Sequence, residues 1–113
     1  MLLDIVIYNK ELSMSKQIMS PAQITKAKRR LQTLLRQLES VGSVMRGTIV
    51  TNGQKHRQPY FSLNKDNRTH LIYLGERRLA VAKKLSDNYK KLWQIIEEMT
   101  IINMALLKND AIE

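Results

Sequence analysis

Apolar residues recur along this chain with two different periods. Ile24, Ala27, Leu31, Leu34, Leu38 and Val41 follow one another at spacings of 3, 4, 3, 4 and 3, one face of an α-helix. Ser20 and Pro21 stand before it, a good N-cap and a good first helical residue. Gly42 follows it as a stop, and Leu35 widens the stripe beyond a strict heptad seam. Ala82, Leu85, Tyr89, Leu92, Ile96, Met99, Asn103 and Leu106 keep the same alternation of 3 and 4, with Ile95 and Ile102 as a second ridge. They predict a helix from about Glu76 to Lys108. Between the two helices the pattern shortens to strands: Thr48–Thr51, Pro59–Asn64 and Thr69–Leu74. Asn52-Gly53 and Lys65–Arg68 supply turns, and Gly75 closes the third strand. Short connections imply an antiparallel meander. The expected class is α+β: helix, three-stranded antiparallel β-meander, long C-terminal helix.

At 1.5 Å per residue the second helix is about 50 Å long and the first about 30 Å. Packed as an antiparallel hairpin, the short helix leaves part of the long one uncovered. A stripe that includes Ile95, Met99, Ile102 and Leu106 is seldom left in water. A second copy of the chain is the simplest cover, giving a homodimer through Leu92, Ile95, Ile96, Met99, Ile102, Asn103 and Leu106. A polar Asn103 on the seam suits register control. The first nineteen residues carry a strand-like run, Leu2 to Tyr8, then a polar stretch. They read as an N-terminal strand or arm before a single domain of residues 20–113.

Composition narrows the function. At 113 residues with 43% hydrophobic and 26% charged residues, one folded domain is expected rather than a disordered chain. Without cysteine there is no disulfide framework, thiolate metal site or cysteine nucleophile. No apolar run approaches the roughly 18–20 residues of a membrane span, and no signal peptide is evident. A cytoplasmic protein is the expectation. The phosphate-loop, H-E-x-x-H and G-x-S-x-G patterns are missing. His56 and His70 have no clear acidic partner, and Glu97 and Glu98 point about 100° apart on a helix. No catalytic residue, metal site or cofactor is assigned, and a non-enzyme is expected.

Charge is the more informative signal. Nineteen Lys and Arg against ten Asp and Glu give +9. Residues 26–45 carry +4, 46–78 carry +5, 79–96 carry +3, and 97–113 carry −3. An excess of this kind suits phosphate neutralisation with counterion release, with the acidic apolar end left for pairing. The candidate nucleic-acid contacts are Arg29 and Arg30 on the first helix, Lys55, His56 and Arg57 in the first loop, and Lys65, Asn67 and Arg68 in the second. Arg29, Lys55, Arg57 and Arg68 suit phosphates, and Arg57 or Asn67 base edges. A β-ribbon fits a major groove, and aromatic residues on a sheet stack unpaired bases. Of Tyr60, Phe61 and Tyr73 at least half should be core, with Tyr60 the better exposed candidate. Nucleic acid, with DNA favoured, is the expected partner. An acidic protein surface, gripped by an inhibitor or recruiter, is the alternative.

Residues 31–107 resemble a family of short, uncharacterised prokaryotic proteins associated with transposons and other mobile elements. The resemblance is carried by Leu38 to Val50, Pro59-Tyr60-Phe61-Ser62-Leu63, Thr69 to Leu74, Asn88-Tyr89-Lys90-Lys91-Leu92, Ile96 to Met99 and Ile102 to Leu107. It implies a mobile-element setting and a similar helix–sheet–helix layout, with no established activity. Family members commonly carry cysteines resembling zinc ligands before the Pro-Tyr strand. Here residues 52–58 hold none, so no metal site carries over.

Overall fold

The computed structural model describes residues 18–53 and 57–112. The expected N-terminal strand or arm lies outside these apart from its last two residues. The elements run α1 (Pro21–Ser40), β1 (Thr48–Asn52), β2 (Gln58–Lys65), β3 (Arg68–Tyr73) and α2 (Gly75–Lys108). The architecture is α+β, as the periodicities predict.

Local chemistry accounts for the start of α1 and the end of α2. Ser20 and Gln23 form a reciprocal capping box: Gln23 N–H donates to Ser20 Oγ at 3.2 Å, and Ser20 N–H donates to Gln23 Oε1 at 2.8 Å. Two orphan donors of the first turn are thereby satisfied. At the far end of α2, Ala111 N–H reaches Leu106 O at 2.9 Å and Asp110 N–H reaches Leu107 O at 3.1 Å. This is a Schellman closure with Asp110 at φ 52° in the position usually given to glycine.

The sheet has the order β1-β2-β3, both pairs antiparallel. Asp66 and Asn67, at φ 55° and 59°, make a two-residue turn between the paired Lys65 and Arg68. Two successive left-handed residues are the type I′ signature whose twist matches the strands. This hairpin outruns β1: pairing with β1 ends at Ser62, while β2 and β3 stay paired from Leu63↔His70 to Lys65↔Arg68.

The described residues divide into two compact units, one within 41–93 and the other formed by 18–40 with 94–112. In the first, Phe61, Leu74 and Ala82 are buried, with Met45, Ile49, Leu63 and Leu79 packed against them. Phe61 and Ile72 are register partners on that face, so Tyr60, Leu71 and Tyr73 occupy the other. Segment 42–47 is pinned to α2 by Met45 N–H on Leu85 O (3.1 Å) and by Asn88 Nδ2 on Ser43 O (3.0 Å).

In the second unit Leu34 and Leu106 are the most deeply buried side chains. Met19 N–H donates to Asn109 Oδ1 at 2.9 Å, and the Arg30 guanidinium chelates the Glu98 carboxylate through Nε and Nη2. These two contacts overturn one expectation. The C-terminal part of the long helix is the part that α1 meets, not an overhang. Ile95 and Leu106 are buried within the single chain, so they do not need a second copy to cover them. Among the described residues, no helix is long and apolar enough to cross a membrane.

Candidate nucleic-acid interface

Charge separates along the unit boundary. Residues 41–93 hold eleven Lys and Arg against three acids, a net +8, while the rest of the sequence holds eight against seven, +1. Within the described part of 41–93 no Lys or Arg makes an ion pair with a carboxylate. Arg46 and Arg78 there bond to backbone carbonyls rather than to carboxylates, so the positive charge is left un-neutralised, the condition in which a polyanion gains most by replacing counterions.

The meander positions several of them. Lys65 and Arg68 face each other across the turn that holds Asn67, and all three are exposed. Arg57, also exposed, immediately precedes β2. Arg46 donates through Nη1 to Asn64 O at 3.3 Å, which brings a further guanidinium to the same projecting hairpin. Arg78, in the first turn of α2, donates through Nη1 to Tyr73 O at 3.2 Å. Arg46 and Arg78 escaped the sequence reading because only three-dimensional pairing ties them to strand carbonyls.

The sheet face opposite Phe61 carries the second component. Tyr60 and Tyr73, cross-strand partners, meet edge to face with centroids 5.5 Å apart and planes at 66°. Tyr73 Oη donates to Gln58 Oε1 at 3.2 Å. Tyr73 is 49% exposed and Leu71 beside it 49%, whereas Tyr60 is half-buried. The better exposed ring is therefore Tyr73, not Tyr60. Thr69 Oγ1 donates to Asn64 Oδ1 at 2.8 Å farther along this face.

The remaining sequence candidates distribute differently. Lys55 and His56 lie outside the described residues. Arg29 and Arg30 sit on α1, in the nearly neutral unit. Arg29 is exposed. Arg30 is committed to Glu98: that hydrogen bond, and secondarily its charge, raises the Arg30 pKa and holds the Glu98 carboxyl below its ordinary range. Of the expected dimer residues, Ile95 and Leu106 are buried and Ile96 is 41% exposed. Leu92, Met99, Ile102 and Asn103 are half-buried. Ile102 lines a cleft with Gln23, Ala27 and Arg30 of α1. On a helical projection Ile96 and Asn103 turn toward the exposed Leu107, whereas Met99 falls between them and Ile102, next to the buried Leu106.

An open groove of about 830 Å³ runs along residues 72–78 and the side chains of Met45, Val81 and Leu85. Val81 and Ile72 are 60% and 52% exposed there. Among the described residues no group of three His, Asp or Glu is close enough to hold a metal ion. No protein-family profile, no curated protein and no solved structure matches the chain significantly.

Proposed function

We propose that the sheet-bearing unit binds nucleic acid, and that the protein is a small accessory or regulatory module without catalysis. The carrying observation is the +8 concentrated in residues 41–93, whose described cations lack carboxylate partners. Lys65 and Arg68 at the hairpin tip, with Arg57, would contact phosphates, and Asn67 would lie within reach of a base edge. DNA is the favoured partner. The mobile-element setting implied by the sequence resemblance belongs to the same reading, as does a cytoplasmic location.

A second copy fits this reading through Ile96, the one residue of the expected seam that is exposed, with Asn103 beside it on the same helix face. The test of binding is its salt dependence. Affinity should fall linearly on a log–log plot, with a slope near −0.9 per phosphate contacted on duplex or about −0.7 on single strands. Absence of binding at low salt would refute the proposal.

A second reading is favoured by exposed Ile72 and Val81 in the groove beside Arg77 and Arg78. Apolar side chains flanked by guanidinium groups suit an acidic protein surface. In that case the chain would ignore oligonucleotides at every salt concentration.

A further inference from the structure

We infer that the nucleic acid taken by the sheet is single-stranded, with unpaired bases stacking on the Tyr60–Tyr73 pair. This rests on the nucleic-acid reading and specifies its substrate class. Phosphate attraction alone would use charged loops and would leave a sheet face polar. Here the open face carries two aromatic rings, one of them 49% exposed, with Leu71 beside it equally exposed. Tyr60, half-buried, backs the more open Tyr73.

Their supports are polar and local. Gln58 Oε1 accepts from Tyr73 Oη, which fixes the far end of the ring. The edge-to-face geometry steadies both rings. Arg78 is bonded to the Tyr73 carbonyl, and Arg57 adjoins Gln58 in sequence, so cations flank the rings along the chain. Fixed rings beside cations without carboxylate partners are the two components of a base-stacking groove, whereas every base in a duplex already stacks on its neighbours. The face is also three strands broad, about 14 Å at roughly 4.8 Å per strand. A major groove of about 12 Å admits two strands. The projecting Lys65–Arg68 tip would then hold backbone rather than enter a groove.

The experiment titrates the full chain with fluorescein-labelled dT12, U12 and a hairpin duplex of equal phosphate number, at low salt. The expected result is single-strand binding at least about tenfold tighter than duplex. Tyr73→Leu should weaken it roughly 5- to 100-fold, the loss of one stacked base, and Tyr73→Phe should retain it. Should Tyr73→Leu not fold, irradiation of the unaltered protein with a 5-iodouracil strand should attach it at Tyr60 or Tyr73. Attachment elsewhere contradicts the inference. Duplex bound as tightly as single strands, with Tyr73→Leu unchanged, overturns stacking but leaves phosphate binding intact. No binding to any of the three overturns the proposed function itself.

Discussion

Gly47 lies so close to Phe61 that a Cβ built on it would stand 2.5 Å from the ring's Cζ and 2.6 Å from the Ser62 carbonyl oxygen. Its φ of 144° also lies where side-chain-bearing residues are rarely found. Phe61 is 3% exposed and anchors the core of the sheet unit, so the ring has nowhere to retreat. Gly47→Ala should therefore destabilise the protein by about 1–3 kcal/mol through overpacking and strain. Urea denaturation checks this. A loss under half a kcal/mol would show that strand β1 can shift away from Phe61.

Arg30 and Glu98 supply an acid-sensitive contact. The arginine hydrogen bond depresses the Glu98 pKa in the folded state relative to the unfolded chain. The stabilisation is thus present above the unfolded glutamate pKa and is lost as pH falls through the folded value. Both side chains are more than 40% exposed, so the effect should be small and weakened by salt. Thermal melts of wild type and Glu98→Gln should differ near neutral pH and converge in acid. Equal separation at both pH values would contradict the pairing.

Much of the fold was legible because the turns are encoded locally. Asp66-Asn67 between two apolar–polar runs marks the hairpin, and a two-residue turn fixes the register. Counting outward from Lys65↔Arg68 places Tyr60 opposite Tyr73, so the aromatic pair was available from the sequence once the turn length was known. The covering of the long helix was not. Helix lengths alone do not say which end the shorter partner meets. That is set by Met19 on Asn109 and Arg30 on Glu98, contacts 90 and 68 residues apart in the chain. For the same reason Arg30 read as a free cation and Ile95 and Leu106 as interface residues.

The seam residues can now be distinguished by two kinds of substitution. Leu106, 2% exposed, should cost about 2–5 kcal/mol on replacement by alanine whatever the oligomeric state. Ile96, 41% exposed, should accept aspartate with little loss of fold. If a second copy covers it, Ile96→Asp should shift the sedimentation mass from twice 13.2 kDa toward 13.2 kDa. An unaltered protein already at the single-chain mass at micromolar concentration would remove the dimer.

Asp110 holds the left-handed closing position of α2, and its charge sits at the negative end of the helix dipole. Asp110→Gly should relieve both, raising stability by about 0.5–1 kcal/mol. Calorimetry would detect the rise in melting temperature. A fall would mean that the carboxylate has a favourable role in the closure.

The central claim is that the +8 sheet unit, and not the nearly neutral helical one, meets nucleic acid. Amide chemical-shift mapping with an added dT12 strand at low salt tests it most directly. The expected result is perturbation concentrated at Tyr60, Leu71, Tyr73, Arg78 and the Lys65–Arg68 tip, with residues 94–112 unmoved. An unchanged spectrum under excess oligonucleotide, or shifts confined to residues 21–40 and 94–112, would contradict it.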